Sequence, residues 1–196
     1  MNDNRYEIRL SGSGGQGIIT AAIILAEAAG VFEKKYVCQT QSYGPEARGG
    51  KSKAEVIISS HPIDYPKVTE MDIFLAMNQA SCDAYFYDFK PDGLLLVDST
   101  FVKNIPTNRV ISIPFTQIAR EEIGREFVAN MVALGALGRL CHEVSLQSIK
   151  KAVLSRVPPD TADMNQKALE AGILAAEKIN VSLLPRSITP DEEVEI

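Results

Sequence analysis

The sequence predicts an α/β fold with three layers, α/β/α, built around a mostly parallel or mixed sheet. Short β-branched runs alternate with helical stretches in the first half, as in wound α/β sheets. A glycine-rich segment between the first strand and the first helix indicates a Rossmann-like start. From residue 116 onward the pattern is almost wholly helical, which predicts a helical C-terminal part. The 196 residues suit a single domain, 1–182, followed by an acidic C-terminal tail or arm, 183–196.

The predicted strands differ in how they alternate. Residues 72–77 and 93–97 are continuous apolar runs, as expected for central parallel strands. Residues 53–59 alternate in polarity, which predicts a strand that is antiparallel or near a sheet edge. The apolar segment 18–29 predicts a helix that needs burial almost all round and ends at Gly30. The other predicted strands are 6–10, 36–40 and 109–115, and the other predicted helices are 79–89, 116–123, 127–141, 146–155 and 163–179.

Composition and charge exclude several classes of function. The formal net charge is −5 and basic residues do not cluster, so nucleic acid is not an expected partner. No run reaches the roughly 18 apolar residues that a membrane span needs. The first residues lack a basic region followed by an apolar run. These patterns predict a cytoplasmic chain without a membrane segment.

The cysteines and histidines do not predict a metal centre or a nucleophilic site. Cys38, Cys82 and Cys141 are far apart in sequence, and none belongs to a CxxC pair. We expect them to be free thiols. His61 and His142 have no Ser or Cys nucleophile beside them, so no catalytic residue is assigned to this chain.

The glycine-rich segment fits the GxGxxG pattern of anion-binding loops. Such a loop points backbone N–H groups and a helix N-terminus at a negatively charged ligand. The second strand ends without the acidic residue that holds the ribose of NAD, and no P-loop lysine follows Gly17. A dehydrogenase or a nucleotide hydrolase is therefore disfavoured, while a tight turn without a ligand stays open. The candidate contacts are Gly12, Ser13, Gly14, Gly15, Gln16 and Gly17.

A second segment, residues 41–52, combines glycines and a proline with charged and aromatic side chains. Glycines allow close backbone approach, and an arginine offers two parallel hydrogen bonds to a carboxylate or phosphate. Two interpretations remain open: the segment binds a ligand, or it faces another subunit with Glu46 and Arg48 as an internal ion pair. Its candidate residues are Tyr43, Glu46, Arg48, Gly49, Gly50 and Lys51.

Four stretches together resemble a known family. GSGGQGIITAAIILAEAAG, QTQSYGPEARGGKSKAEVIIS, PIDYPKVTEMDIFLAMNQ and GLLLVDST are similar to segments of the gamma subunits of 2-oxoacid:ferredoxin (acceptor) oxidoreductases. The similarity is greatest to the 2-oxoglutarate enzymes and covers about residues 6–180. The segment around YGPEARGG is more specific than the glycine loop.

The resemblance implies a subunit that acts only within a complex. Such an enzyme converts 2-oxoglutarate, coenzyme A (CoA) and an oxidised acceptor to succinyl-CoA, carbon dioxide and the reduced acceptor. Thiamine diphosphate, magnesium and iron-sulfur clusters would lie on alpha, beta and ferredoxin-like delta partner subunits, and ferredoxin or another acceptor would receive the electrons. The gamma chain would contribute the CoA side. The alternatives are a pyruvate, branched-chain or aromatic 2-oxoacid enzyme, a stand-alone nucleotide-binding dehydrogenase, or a purely structural subunit.

Within this interpretation, the phosphates of CoA would meet the glycine loop, and Arg48 and Lys51 would add charge-assisted contacts. Three further polar residues are candidates for an interface or a ligand. Asn78 follows a strand and is also a good helix N-cap. Asp98 follows another strand and could instead orient a turn. Asn130 lies in an apolar helix, where we expect an internal hydrogen bond or a place at a subunit contact.

Overall fold

The computed structural model describes residues 5–43 and 50–187, with only the backbone of Tyr43. Six strands form one mixed sheet in the order β2-β3-β1-β4-β5-β6. All of them run in one direction except β3, which is antiparallel to both of its neighbours. The strands are β1 Arg5–Ser13, β2 Tyr36–Tyr43, β3 Lys51–Ser59, β4 Met71–Ala76, β5 Phe89–Asp98 and β6 Val110–Ile113.

The position of β3 resolves the two possibilities that its alternation left open. Both of them hold: β3 is antiparallel to its two neighbours, and it lies beside the edge strand β2, between β2 and β1. Ala54, Val56 and Ile58 face the main core, and Ile57 packs into the smaller core on the other face. Apolar burial on both faces is why this strand occupies an interior position. The strand order therefore differs from that of a Rossmann fold, in which the first two strands are neighbours, because β3 separates β2 from β1.

The described residues form six α-helices, of which the first two connect strands and the other four follow β6. The structure extends the first helix through a π-helical turn, Ala28–Phe32, so the prediction that it ends at Gly30 is wrong. A methyl group at Gly30 would lie 3.4 Å from Val37 Cγ2, an ordinary contact distance, so the packing of this turn against β2 does not require glycine. The helices are α1 Ile18–Glu27, α2 Gln79–Tyr85, α3 Phe115–Ile118, α4 Ala129–Leu140, α5 Leu146–Arg156 and α6 Ala162–Ala176.

The two faces of the sheet are covered unequally. Helices α1, α4, α5 and α6 build the main core on one face, whereas α2 and the adjoining loops cover the other. The prediction that α1 needs burial nearly all round is only partly met, since Ile18, Ile24 and Leu25 are buried among the sheet, α4 and α5, whereas Thr20 is exposed. The predicted helical C-terminal part supplies this layer.

Helices α4 and α6 cross with their backbones in contact. A methyl group added at Gly172 would lie 1.8 Å from Val132 O, and one at Gly135 would lie 2.1 Å from Leu169 O. No side chain fits between atoms this close. The glycines are therefore required by packing, and they bring the helical layer together directly beside the sheet.

A buried arginine stabilises the face of the sheet that α2 and the adjoining loops cover. Arg9 is 1% exposed, and its Nε donates to Glu55 Oε1 over 2.8 Å, in agreement with the pairing of β1 and β3. Its Nη1 donates to the carbonyls of Tyr85 and Tyr87 at 3.0 Å each, and its guanidinium lies 4.1 Å from the centre of the Tyr87 ring. These contacts satisfy the buried charge. They also hold the segment after α2 against the sheet.

The end of the described chain contacts the domain's own sheet. Ser187 N donates to Pro91 O over 2.7 Å, and the hydroxyls of Thr107 and Ser187 are 2.5 Å apart. Arg109 Nη1 donates to Leu184 O over 2.9 Å. Residues 183–187 of the predicted tail or arm thus lie beside β5 and β6. Residues 188–196 are outside the described part of the chain, and the domain boundary stays a prediction.

The three cysteines predict a simple pattern of thiol reactivity. Cys82 and Cys141 are buried, and burial raises the pKa of each thiol to about 11 because it disfavours the charged thiolate. Cys38 is partly exposed. At pH 8 we expect a disulfide reagent such as DTNB to modify Cys38 quickly and the other two only after unfolding in urea. Three equal rates in the native chain would contradict this; Cys38→Ser, which should remove the fast phase, is the control.

Candidate functional site

The glycine loop begins inside the sheet. Strand β1 continues to Ser13, so Gly12 and Ser13 are paired strand residues rather than loop residues. Ser52 on β3 donates its hydroxyl to Gly12 O over 3.1 Å. A methyl group at Gly12 would lie 2.7 Å from Gln16 Oε1 and 2.8 Å from Ile18 Cγ1. Glycine at position 12 therefore lets the turn fold back closely over the end of its own strand.

The turn that follows depends on two left-handed glycines. Gly15 has φ of 93° and Gly17 has φ of 71°, values that favour glycine strongly. Gly14 N donates to Gly50 O over 2.8 Å, which ties the turn to the residue preceding β3. At Gly17, an added methyl group would lie 2.4 Å from Asn130 Nδ2. Glycine thus allows the left-handed backbone at both positions, and at Gly17 it also allows close packing against Asn130.

Asn78, which follows β4, connects this turn to the next helix. Its Oδ1 accepts a hydrogen bond of 2.8 Å from Ser81 N and so caps α2. Its Nδ2 donates to Ser13 Oγ over 2.6 Å and to Gln16 Oε1 over 3.1 Å. Gln16 Oε1 also accepts from Ser13 N over 2.6 Å. The Asn78 side chain therefore caps α2, as the sequence indicates, and it also contacts the glycine loop.

A cleft of about 230 Å³ opens at the start of α1. The N-cap, Gly17, makes no side-chain capping bond, and the first turn of α1 holds no acidic residue. The positive end of the helix dipole is therefore not neutralised by the described chain, and such an end attracts anions. Lys51 pairs with Ser13 across β3 and β1 but does not line the cleft, because it alternates with Ser52, which does. The cleft is lined by Ser13, Gly14, Gly15, Gly17, Ile18, Ile19, Thr20 and Ser52.

A second cleft, of about 270 Å³, lies on the other side of the loop. Gly15 and Gln16 form one side, and Thr116, Glu126, Phe127 and Ala129 form the other. Phe127 leaves 63% of its surface exposed. The sequence analysis did not identify Thr20, Ser52 or Phe127. Ser52 carries a usable signal, since it lies opposite Gly12 once β3 is taken as antiparallel to β1; the other two carry none.

Two of the predicted polar candidates make internal bonds. Asp98 is fully buried; its Oδ2 accepts from Thr116 N over 3.1 Å and from Thr116 Oγ1 over 2.5 Å, and its Oδ1 accepts from Thr100 N over 2.9 Å. These bonds join the end of β5 to α3. Asn130 Nδ2 donates to Gly17 O over 3.1 Å, so α4 supports the glycine loop from behind. Neither Asp98 nor Asn130 lines either cleft, although Asn130 contacts the loop through Gly17.

The candidates of the second segment are mostly outside the described residues. Glu46, Arg48 and Gly49 fall there, and Tyr43 is described by its backbone, which pairs with Ser52. Gly50 and Lys51 are described and lie beside the glycine loop. The ligand and interface interpretations of this segment therefore stay predictions.

The described residues contain no group of three or more His, Cys, Asp or Glu side chains able to hold a metal ion. Over the same residues, every helix is too short or too polar to cross a bilayer. The site thus consists of backbone amides, small side chains and amides at the carboxyl edge of the sheet.

Comparison with known proteins identifies the family. The model of the family described as pyruvate ferredoxin/flavodoxin oxidoreductase matches residues 7–175, which include the whole sheet except the start of β1 and all six helices except the end of α6. The chain belongs to this family. Among curated relatives of the oxidoreductase, the 2-oxoglutarate synthase subunit KorC of Methanocaldococcus jannaschii is 49% identical over 179 residues, covering 89% of this chain and 96% of the relative.

Two solved structures of such oxidoreductases share the fold. The gamma subunit of a keto/oxoacid ferredoxin oxidoreductase from Geobacter sulfurreducens is 46% identical, with a TM-score of 0.80, and the match covers 89% of this chain and 99% of that one. A 2-oxoglutarate:ferredoxin oxidoreductase from Magnetococcus marinus, solved with 2-oxoglutarate, CoA and succinyl-CoA bound, is 26% identical with a TM-score of 0.80. That match covers 97% of this chain and 34% of the larger one.

Proposed function

We propose that this chain is the gamma subunit of a multi-subunit 2-oxoglutarate:ferredoxin (acceptor) oxidoreductase. The enzyme would convert 2-oxoglutarate, CoA and an oxidised acceptor to succinyl-CoA, carbon dioxide and the reduced acceptor. The observation that carries the proposal is the 49% identity to a 2-oxoglutarate synthase subunit over 96% of that subunit's length. The geometry supports it, because the cleft at the start of α1 has no acidic side chain in its lining and so suits an anionic ligand.

The cleft at the start of α1 suits the phosphate groups of CoA. Its lining carries no acidic side chain, and the amides of the loop and of the first helical turn are the groups that bind phosphate elsewhere. The contacts proposed here are Gly12, Ser13, Gly14, Gly15, Gln16 and Gly17, with Lys51 and Arg48 supplying positive charge. When bound, CoA supplies the thiol that accepts the acyl group.

The decarboxylation and electron-transfer steps would take place on partner subunits. In the proposed complex, alpha and beta subunits hold thiamine diphosphate and magnesium, and beta and ferredoxin-like delta subunits hold the iron-sulfur clusters. Electrons leave through ferredoxin or another acceptor. The described part of this chain contributes the CoA side and contacts between subunits.

Purification of the complex tests this proposal. The tagged chain is expected to bring down three further polypeptides together with iron and thiamine diphosphate. The complex should oxidise 2-oxoglutarate only when CoA and an acceptor are present, with a kcat/KM at least tenfold above those for pyruvate and for branched-chain or aromatic 2-oxoacids. Turnover of a 2-oxoacid by the isolated chain, or a preparation without iron and thiamine diphosphate, would refute the proposed role. A preference for another 2-oxoacid would refute the substrate.

A further inference from the structure

The orientation of the Asn78 carboxamide is determined by its neighbours. Its Oδ1 accepts from the backbone N–H of Ser81, which can only donate. The other end must therefore be the NH₂ group, and both of its protons are used, on Ser13 Oγ and on Gln16 Oε1. The carboxamide thus links the cap of α2 to two side chains of the glycine loop.

This orientation sets the direction of the Ser13 hydroxyl. Because Ser13 Oγ accepts the proton of Asn78 Nδ2 at 2.6 Å, it cannot donate back to the same nitrogen. Within the described part of the chain, no acceptor takes the hydroxyl proton of Ser13. Ser13 lines the cleft at the start of α1, so the hydroxyl is left as a donor for whatever occupies that cleft.

Gln16 is oriented in the same way. Its Oε1 accepts from both Ser13 N and Asn78 Nδ2, which leaves Nε2 as the outward end of the side chain. Gln16 lines the second cleft, beside Phe127. The same network therefore presents a hydroxyl donor to one cleft and an amide donor to the other.

We propose that Asn78 is a positioning residue, which keeps the Ser13 hydroxyl and the Gln16 amide turned outward as donors to an anionic ligand at the glycine loop. Asn78 itself is half-buried behind these two side chains and lines neither cleft. Donors that are already oriented bind more tightly, because binding does not have to order them. The inference rests on the proposed function, in which the ligand is CoA.

Asn78→Ser, made in the assembled enzyme, tests the role. Serine caps a helix about as well as asparagine, so α2 keeps its cap while the loop loses both amide hydrogen bonds. The KM for CoA is expected to rise about tenfold, as the loss of an oriented hydrogen bond predicts. Both kcat at saturating CoA and the KM for 2-oxoglutarate should stay within about twofold of wild type.

A matched control separates this effect from the loss of a helix cap. Ser145 caps α5 through a 3.2 Å bond from Ser148 N and lines neither cleft. Ser145→Ala should lower the melting temperature but leave the KM for CoA unchanged. If Asn78→Ser prevents assembly while Ser145→Ala does not, Asn78 is a structural residue and the inference is wrong.

A double-mutant cycle with Ser13→Ala asks whether Asn78 acts through the Ser13 hydroxyl. If it does, adding Asn78→Ser to Ser13→Ala should raise the KM for CoA clearly less than it does in the wild-type enzyme. Fully multiplicative effects would overturn the inference. A wild-type complex that does not require CoA would refute the proposed function, whereas a CoA-dependent complex insensitive to Asn78→Ser would refute this inference alone.

Discussion

Gly172→Ala is expected to destabilise the chain by about 3 kcal/mol, although alanine favours helices more than glycine does. The new methyl group would lie 1.8 Å from Val132 O and 2.7 Å from Val132 C. Both atoms belong to the backbone of α4, so no side-chain rotation relieves the clash. Helices α4 and α6 must move apart, which opens the core beneath them. Urea unfolding followed by circular dichroism would measure the loss as a lower midpoint.

Gly138→Ala is the matched control, because it makes the same substitution within α4. There the methyl group would meet Ile149 Cδ1 at 2.4 Å, the far end of a flexible side chain that can rotate away. We expect a change within about 1 kcal/mol of zero, as the gain in helix propensity offsets part of the crowding. Equal losses in the two variants would show that backbone contact between the helices is not what glycine provides.

Thr20→Glu is expected to weaken CoA binding by about a hundredfold. Thr20 is exposed and lines the cleft in the first turn of α1. A carboxylate within roughly 4–6 Å of a bound phosphate costs about 3 kcal/mol at an effective dielectric constant of 20. A glutamate in a first helical turn otherwise stabilises the helix by about 0.3–1 kcal/mol. Calorimetric titration of the assembled enzyme with CoA should therefore show the lost affinity, and thermal unfolding should show no loss of stability.

Thr20→Gln is the control for this prediction, since glutamine has the shape of glutamate without its charge. It should weaken CoA binding by less than about threefold. Unchanged affinity in Thr20→Glu would place the phosphates of CoA away from α1 and favour a purely structural role for this cleft. Equal losses in both variants would indicate crowding rather than charge.

The strands could be located from the sequence, but their order could not. Continuous apolar runs mark β4 and β5 because both faces of these strands are buried, and this is a local property of the chain. The insertion of β3 between β2 and β1 depends on β1–β3 pairings between residues far apart in sequence, such as Ile8 with Val56. The strand whose end would carry the acidic residue of an NAD site, β2, therefore does not lie next to β1.

The candidate site likewise has local features that the sequence predicts and long-range contacts that it does not. The glycine-rich segment predicts the turn because the backbone at Gly17, which belongs to the GxGxxG pattern, and at Gly15, which does not, has left-handed angles. Its partners are distant in sequence: Asn78 lies 65 residues beyond Ser13, and Asn130 lies 113 residues beyond Gly17. The sequence marks Asn78 by its place after a strand and as a helix N-cap, and Asn130 as a polar residue in an apolar helix. It could not say which atoms they bind, because that depends on how α2 and α4 are placed against the end of β1.

The place of β3 has a consequence for how the polypeptide reaches its native state. Strands β1 and β2 run in the same direction with one strand between them, so a gap of about 10 Å must be filled before the sheet is continuous. Hairpins form within about 1–10 μs, far faster than pairings across long stretches of chain. We therefore expect β2 and β3 to associate first and to join β1 as a unit, which makes this docking the slow event in refolding.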